Sequence, residues 1–267
     1  MVLMKNVFIY CNDDQASLDT RKELVGLLTN ENITVKDEFG SDVELVVAIG
    51  GDGTFLRAIK ASNYSDVLIL GINTGHLGFF ADYSPNELNE VIKVCTNKQY
   101  VIQSYKTIKT EVETNNGQIL LEPAINDVYI KHGSSSIVHL DLSIGDSLIE
   151  SMAGDGLLVS SSAGSTAYNY SLGAGIVDPR LDLLQITPVA PANNAVYRSI
   201  TSSLLVPANE KIVIESKDDN NTVVVVDGNK SDIEGIKKVV ISIQDKNINI
   251  IRKPNYQFWK KVKSKFI

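Results

Sequence analysis

The sequence predicts an α/β domain in residues 1–103 and a β-rich domain in residues 104–249, and three observations support this division. In the first hundred residues, short apolar runs alternate with segments of helical periodicity, which is typical of a parallel sheet covered by helices. After about residue 103, period-2 alternation appears between turn signals such as Asn115-Asn116-Gly117, which indicates antiparallel strands. A chain of 267 residues is long enough to bury two such cores.

The first domain is expected to alternate strands and helices along the chain. In order, we expect a strand at 6–10, a helix at 16–30, strands at 34–39 and 45–49, a helix at 55–61, a strand at 67–72 and a helix from Ser84-Pro85 onward. Ligands bind at the carboxyl ends of the strands in such sheets. The turn after residue 49 and the loop at 73–76 are both expected at such ends.

The second domain and the tail carry different patterns. Apolar runs at 223–226 and 239–243 predict core strands. In the basic tail, Phe258, Val262 and Phe266 recur at i, i+4 and i+8, which predicts a helix that docks an aromatic stripe on the core. An arm for a membrane or a nucleic acid is the alternative interpretation.

The composition limits the classes of partner and the cellular compartment that we expect. The net charge of −7 argues against a broad basic surface for nucleic acid. Cys11 and Cys95 are the only cysteines and lie far apart, which favours a reducing compartment and gives no zinc or disulfide framework. No stretch approaches the length of a membrane span. We therefore expect a cytoplasmic protein with neither a nucleic-acid nor a membrane partner.

The most informative motif is a glycine turn between a predicted strand and a predicted helix. Gly50, Gly51 and Gly53 surround Asp52, and Thr54 is placed to cap the helix. Glycine amides and a helix N-terminus favour a phosphate group. A carboxylate would repel phosphate, so Asp52 is expected to bind a metal or to take a proton from an attacking hydroxyl. An ordinary turn in which this aspartate caps the helix is the alternative.

Two further polar clusters lie in the β-rich half. Asn126-Asp127 could read a base edge and a ribose diol, or could simply close a turn. Asp155 lies between two glycines before an apolar strand, and the hydroxyl-rich turn at 160–166 leads to Tyr168. Small residues admit a planar ring on which the tyrosine could stack. A serine-rich loop with a core tyrosine is the alternative.

Together these clusters resemble the NAD kinase family over most of the chain. Gly50-Gly51-Asp52-Gly53-Thr54 is similar to its GGDGT motif, and residues 73–80 are similar to its NxGxLGF segment. Asn126-Asp127 takes the place of its Asn-Glu pair. Residues 154–171 resemble its long GDG…STPTGSTAYN signature, which is the most specific of the four.

The resemblance implies transfer of a phosphoryl group from ATP, or from polyphosphate, to the 2′-hydroxyl of the adenosine ribose of NAD, giving NADP. It also implies Mg²⁺ or another divalent metal, and a homodimer or homotetramer. The implied fold is a Rossmann-like N-terminal domain, to which residues 250–267 return, and a β-rich, β-sandwich-like C-terminal domain. The site for the phosphate donor and the catalytic loop would belong to the first domain, and the NAD-binding site would belong to the second.

The family's functional residues carry over position by position. Asp52 would be the base that faces the 2′-hydroxyl, in a phosphate loop formed by Gly50, Gly51, Gly53 and Thr54. The implied NAD-binding residues are Asp52, Gly53, Arg57, Asn126, Asp127, Asp155, Ala163, Thr166, Ala167, Tyr168, Asn169, Tyr170, Ser171 and Ala190.

Individual roles are implied for most of this set. Gly53 and Arg57 would lie beside the NAD phosphates, while Asn126 and Thr166 would contact adenine. The further implied roles are a ribose-diol acceptor for Asp127, a stacking ring for Tyr168, a bond to the nicotinamide amide for Asp155, and pocket-lining positions for Ser171 and Ala190. No metal ligand is assigned.

Four residues depart from the family pattern. Asp127 replaces a glutamate, Ser162-Ala163 replaces Pro-Thr, and Ala153 stands where many relatives carry a cation. These changes concern NAD affinity more than reaction type. A lipid kinase that shares GGDGT, a nucleotide sensor without turnover, and His76 as the base are the alternatives.

Overall fold

The structure, a computed structural model, describes residues 4–75, 78–194, 198–218 and 221–267. The chain divides into two compact units, of which unit 1 is Met1–Tyr105 with Asn247–Ile267 and unit 2 is Lys106–Lys246. Unit 1 combines helices with a parallel sheet and unit 2 is almost entirely β-structure. The predicted fold class is therefore confirmed.

Helices and strands alternate in the first hundred residues, after which strands predominate. The helices are α1 (Gln15–Asn30), α2 (Asp52–Ala61), α3 (Leu88–Asn97), α4 (Tyr168–Ser171) and α5 (Phe258–Phe266). The strands are β1 (Asn6–Cys11), β2 (Thr34–Lys36), β3 (Leu45–Ile49), β4 (Leu68–Ile72), β5 (Val101–Thr114), β6 (Ile119–Leu121), β7 (Asp127–His132), β8 (Val138–Ile144), β9 (Ser147–Gly154), β10 (Gly156–Ser161), β11 (Leu183–Val189), β12 (Leu204–Pro207), β13 (Ile212–Ser216), β14 (Thr222–Val226), β15 (Asn229–Lys230) and β16 (Ile236–Arg252).

The sheet of unit 1 explains where its site lies. Its parallel strands follow the order β2-β1-β3-β4, and the end of β16 pairs with β4. Every residue of β3 is buried, as the apolar run predicts. Cys11, Ile49 and Ile72 are matched in register across β1, β3 and β4. The loops that follow these three strands therefore emerge at one edge of the sheet.

Two local predictions in unit 1 need correction. The strand predicted at 34–39 ends at Lys36. The helix predicted from residue 55 begins at Asp52, because Gly51 has the extended backbone of an N-cap residue, with φ −87° and ψ −175°. Thr54 therefore lies inside the first turn, and its predicted capping role is wrong. The helix start predicted at Ser84-Pro85 is a capped 3₁₀ turn that leads into α3.

Unit 2 is built from two groups of antiparallel strands. One group follows the order β12-β11-β10-β7-β14-β15, and in the other the first half of β16 pairs with β13, followed by β8 and β9. Their inward-facing residues form one buried apolar cluster that includes Val128, Leu157, Leu140 and Ile214. This arrangement is the predicted β-sandwich-like packing.

The strand register of unit 2 brings separate clusters to one edge. In the antiparallel pair of β7 and β10, Asp127 lies opposite Ser160. The Asn126-Asp127 pair and the turn after β10 are therefore neighbours, although more than thirty residues separate them in the sequence. Within the described ranges, no helix is long and apolar enough to cross a membrane.

Candidate active site

The glycine turn of unit 1 depends on Gly50. This residue has φ +148°, and a Cβ added to it would lie 2.5 Å from Thr54 Oγ1 and 2.8 Å from Thr54 Cβ. Its N–H donates to the carbonyl of Ile72 at 2.9 Å. Glycine is thus required here so that the turn can close tightly over the first turn of α2.

The other two glycines leave the helix N-terminus open to a ligand. A Cβ at Gly51 would meet nothing within 4 Å, and one at Gly53 would meet only Arg57 Nη1, at 3.8 Å. The Arg57 side chain is exposed, and its Nη2 donates to Thr54 Oγ1 at 3.1 Å and to Asn12 Oδ1 at 3.3 Å. An exposed glycine turn, a helix N-terminus and a cation together suit an anionic group such as phosphate.

Asp52 is oriented by a segment that follows β4. Its Oδ2 accepts the backbone N–H of Phe79 at 2.8 Å, and its Oδ1 accepts that of Phe80 at 3.1 Å. A Cβ at Gly78 would lie 2.1 Å from Asp52 Oδ1, so only glycine leaves room for this carboxylate. The alternative in which Asp52 caps the helix is wrong, because Gly51 is the N-cap.

The described residues offer no ready-made metal cage. Among them, no group of three or more His, Cys, Asp or Glu side chains converges as metal ligands would. Each Asp52 oxygen accepts one backbone N–H and keeps a further lone pair for a proton or a ligand. His76, considered as a base, lies outside the described residues.

The Asn126-Asp127 pair of unit 2 is held by an unpredicted partner. The Asp227 carboxylate accepts the backbone N–H groups of Ile125 at 2.9 Å, of Asn126 at 2.7 Å and of Asp127 at 3.2 Å. Asp227 itself has φ +47° and begins the turn between β14 and β15. The backbone of this pair, at the start of β7, is therefore fixed by a turn that is distant in the sequence.

Both side chains of the pair are buried in an unusual electrostatic setting. Asn126 is 8% exposed, and its Oδ1 lacks a hydrogen-bond partner within the part of the chain that the structure describes. Asp127 is 6% exposed; burial, and then the nearby charge of Asp227, raise the pKa of its carboxyl to about 7. Buried acceptors of this kind cost free energy unless a ligand pairs with them.

The segment after β10 combines exposed rings with buried amides. Tyr168 and Tyr170 are 46% and 40% exposed, so the core-tyrosine alternative for Tyr168 is wrong. Asn169 is fully buried, and its amide bonds with the Gln185 amide at 2.6 Å and with the Thr187 hydroxyl at 2.7 Å. This side chain is committed to protein contacts that fix the segment.

Small polar residues complete that segment. Ala163 and Thr166 bound a 3₁₀ turn in which the Thr166 hydroxyl donates to the Ala163 carbonyl at 3.3 Å. Ala167 is half-buried and precedes α4. The exposed Ser171 donates its hydroxyl to the Tyr168 carbonyl at 2.7 Å.

Asp155 and Ala190 lie at the opposite end of β10 from Asp127. Both are exposed, and the Asp155 N–H donates to the Val189 carbonyl at 3.0 Å. Tyr129 connects the two ends, because its ring centroid lies 5.8 Å from that of Tyr168 while its hydroxyl donates to the Asp155 carbonyl at 3.0 Å. A ligand that touches both ends must be extended, since a six-residue strand spans about 17–20 Å.

Sequence reasoning missed several residues that shape these sites. Gly78 and the amides of Phe79 and Phe80 lay within a recognised motif, but nothing in their residue types signals a bond to Asp52. Nothing in the residues around Asp227 signals its bonds to the amides of residues 125–127. Tyr129 lies within β7, and the residue pattern of that strand gives no sign of its contacts with Tyr168 and Asp155.

Family comparisons cover most of the chain. Residues 5–100 match the family described as the ATP-NAD kinase N-terminal domain, and residues 125–252 match the ATP-NAD kinase C-terminal domain. The second match removes the support for a lipid kinase that shares only the glycine motif.

Individual relatives and solved structures agree with these matches. An NAD kinase from Finegoldia magna is 34% identical over 268 residues, which cover 98% of each chain. An NAD kinase from Lactobacillus johnsonii is 35% identical over 268 residues, covering 99% of this chain and 97% of the relative.

The fold is shared with two solved structures at low sequence identity. Yeast NADH kinase complexed with NADH has a TM-score of 0.86 at 18% identity, covering 97% of this chain and 86% of that one. An NAD kinase from Archaeoglobus fulgidus in complex with ATP has a TM-score of 0.78 at 21% identity, covering 98% of both chains. With both family domains and full-length relatives matched, the chain belongs to the NAD kinase family of phosphotransferases.

Proposed function

We propose that this chain transfers the terminal phosphoryl group of ATP to the 2′-hydroxyl of the adenosine ribose of NAD, giving NADP, with Asp52 as the base. The observation that carries this assignment is the Asp52 carboxylate, aimed by two backbone N–H groups beside an open glycine turn. A carboxylate next to a phosphate site is unfavourable for binding alone, so a role in the chemistry explains its presence.

Asp52 takes the proton of the attacking hydroxyl as the phosphoryl group transfers to that oxygen and ADP leaves. General-base catalysis of this kind contributes about 10²–10⁴-fold to the rate. The remaining protein contribution is positioning and charge stabilisation, which the glycine amides and the N-terminus of α2 supply. Gly50, Gly51, Gly53 and Thr54 form this phosphate loop, with Gly53 and Arg57 beside the phosphates of NAD.

The Asn126-Asp127 pair recognises adenosine. The unpartnered Asn126 Oδ1 accepts the exocyclic amine of adenine, which relieves a buried acceptor. Thr166 contributes a hydroxyl to the same base. The Asp127 carboxylate accepts hydrogen bonds from the two hydroxyls of the ribose diol. These charge-assisted bonds favour the ionised form of the carboxylate.

The remaining residues contact the rest of the dinucleotide. Tyr168 offers its exposed ring for stacking, and Asp155 bonds the nicotinamide amide. The other proposed contacts are the small or polar positions Ala163, Ala167, Tyr170, Ser171 and Ala190. Asn169 belongs to this region as a support, because its buried amide bonds Gln185 and Thr187.

ATP is the proposed donor, with polyphosphate as the alternative. Mg²⁺, or another divalent metal, enters as part of the donor substrate, bound to its phosphates. Such ions usually keep several waters and need only one or two protein carboxylates, which is consistent with described residues that form no cage. We also propose that the protein acts in the cytoplasm as a homodimer or homotetramer.

The decisive experiment measures NADP formation by the purified protein from NAD, ATP and MgCl₂. We expect turnover in wild type and little in Asp52→Asn, whereas polyphosphate in place of ATP tests the donor. Binding of NAD without NADP formation from either donor would replace the kinase assignment by that of a nucleotide sensor.

A further inference from the structure

Two cations that follow residue 250 bind the segment that orients Asp52. Arg252 Nη1 donates to the carbonyls of Phe79 at 2.9 Å and of Phe80 at 2.7 Å. Lys261 Nζ, on α5, donates to the carbonyl of Ala81 at 2.6 Å. Three successive carbonyls of unit 1 are thus held by two side chains that come from the end of the chain.

The same segment uses its opposite groups to hold the carboxylate. While the carbonyls of Phe79 and Phe80 accept from Arg252, the N–H groups of these residues donate to Asp52. Any movement of the carbonyls therefore moves the donors that set the carboxylate's position. Phe266 of α5 also packs on Phe79, with ring centroids 5.4 Å apart.

Burying these charged side chains costs more free energy than a purely structural contact requires. Arg252 is fully buried and Lys261 is 8% exposed, and both contact the Asp82 carboxylate, whose side chain is 6% exposed. Within the described ranges, Arg252 Nη2 and Asp82 Oδ2 are buried without a hydrogen-bond partner. Apolar packing would hold a helix as well at lower cost.

The electrostatic setting connects this cluster to the reactive carboxylate. Burial lowers the pKa of Lys261, while the charges of Asp82 and, more weakly, of Asp52 oppose that shift. The direct contacts of the ammonium group are with Asp82 and the Ala81 carbonyl. These hydrogen bonds hold the segment whose Phe79 and Phe80 amides donate to Asp52.

We propose that Arg252 and Lys261 are positioning residues for catalysis, which clamp residues 79–82 so that the Phe79 and Phe80 amides hold Asp52 in its reactive orientation. This inference rests on the proposed role of Asp52 as the base. The tail of the chain thereby takes part in the chemistry without touching substrate.

The first experiment replaces the buried ammonium group by an apolar side chain of similar length. Lys261→Met should lower kcat for NADP formation by about 10- to 100-fold, because small displacements of a catalytic group have effects of this size. The KM for NAD should change by less than about twofold, since no NAD contact is altered. Lys260→Met, at the exposed neighbouring lysine, is the matched control and should leave kcat unchanged.

The second experiment asks whether the effect passes through Asp52. In the double variant Asp52→Asn/Lys261→Met, kcat should equal that of Asp52→Asn alone, because a misplaced base costs nothing once the base is gone. If Lys261 had only a structural role, the fold-loss of kcat in the double variant would be the product of the two single losses. If Lys261→Met fails to fold, Arg252→Lys serves in the same cycle, since it keeps the charge but loses the guanidinium geometry.

The outcomes separate the two proposals. Full activity of Asp52→Asn would overturn the proposed base while leaving the clamp without a function. A slow Asp52→Asn together with an unchanged kcat in Lys261→Met, or with multiplied losses in the double variant, would overturn the clamp alone. Melting temperatures, measured for all variants, show whether each protein is folded at the assay temperature.

Discussion

Asp52 and Asp127 are both acidic residues at the start of a regular element, but the chain surrounds them with opposite environments. Asp52, the first residue of α2, is partly exposed and accepts two backbone N–H groups. Asp127, the first residue of β7, is 6% exposed and shares its surroundings with the carboxylate of Asp227. The backbone orients the first carboxylate, whereas burial and like charge act on the second.

With the proposed roles, the difference distinguishes a carboxylate suited to act as a base from a carboxylate suited to recognise a ligand. A base must hold its position while a proton moves, and backbone donors from a clamped segment give that precision. A buried carboxylate with a raised pKa instead gains most when ligand hydroxyls pair with it. The next five predictions test this contrast in order of decreasing effect.

The largest effect is expected from Asp52→Asn. The amide keeps the size of the side chain but cannot accept a proton, so kcat should fall by about 10²–10⁴-fold with most NAD affinity retained. Steady-state kinetics and NAD titration measure the two terms. Wild-type turnover in this variant would contradict the proposed contrast between Asp52 and Asp127, because Asp52 would then be a structural carboxylate.

Gly78→Ala should disturb the same carboxylate without changing it chemically. The added Cβ would lie 2.1 Å from Asp52 Oδ1, so the carboxylate or its loop must shift. We expect kcat to fall by about 10- to 100-fold. Gly26→Ala, in α1, is the control, because a Cβ there would also meet nothing within 4 Å, and it should keep normal kcat.

Tyr168→Ala tests recognition in unit 2. Loss of the exposed ring should weaken NAD binding by about 1–3 kcal/mol, as for other base–aromatic stacks. The melting temperature should hardly change, since the side chain is 46% exposed. Tyr168→Phe retains the ring and should bind NAD nearly as wild type does. A large drop in thermal stability with unchanged affinity would contradict the stacking role.

Asp127→Asn tests the effect of burial through the pH dependence of stability. A folded-state pKa of about 7, against 3.8 for the free group, means that the folded protein holds this proton more tightly than the unfolded chain does. Its stabilising contribution is complete below pH 4 and is lost as pH rises through 7. We expect the free energy of unfolding of wild type to fall by a few kcal/mol in this window relative to that of Asp127→Asn, since each pKa unit corresponds to about 1.4 kcal/mol.

Denaturant titrations of both proteins, without NAD, at pH 4 and pH 8 give this difference. At pH 4 the carboxyl of folded wild type is neutral, like the amide of the variant, so the stability difference at pH 4 is the reference for that at pH 8. Equal pH dependence of the two proteins would mean that Asp127 is not perturbed by its surroundings. Saturating NAD should reduce the difference, because the ribose diol stabilises the ionised carboxylate.

The smallest effect is expected from Asp127→Glu, which restores the residue type of the family pattern. The extra methylene should bring the carboxylate closer to the ribose diol, lowering the KM for NAD modestly while kcat stays almost unchanged. Asp127→Ala should raise this KM more clearly. The measurement uses saturating ATP and Mg²⁺. If both variants leave the NAD dependence unchanged, Asp127 is only a turn residue.

Local patterns were sufficient for much of the fold and for one side of the candidate site. The buried strand at Leu45–Ile49 has the predicted bounds, because five apolar residues followed by glycines leave few alternatives. Thr54 was misassigned since Gly51, which carries no side chain, serves as the N-cap. Backbone conformation decided this point, and residue type did not reveal it.

Long-range partners were beyond the reach of sequence reasoning. Arg252 and Lys261 belong to a basic tail of which only the aromatic stripe was predicted to contact the core, yet both are buried against the Asp82 carboxylate. Asp227 lies a hundred residues from the amides that it accepts. Such pairings depend on the assembled topology, and a single sequence gives no signal for them.

The path of β16 has a consequence for the order in which the chain folds during synthesis. The strand pairs with β13 near Val239 and with β4 at Asn249 and Ile250, so unit 1 closes its sheet with residues that are synthesised long after β4. Non-local pairings of this kind fold slowly and leave strand edges open meanwhile. A nascent or truncated chain that stops before Arg252 would carry Asp52 without the side chain that fixes its loop. Incomplete translation products should therefore be catalytically silent and exposed to aggregation along β4.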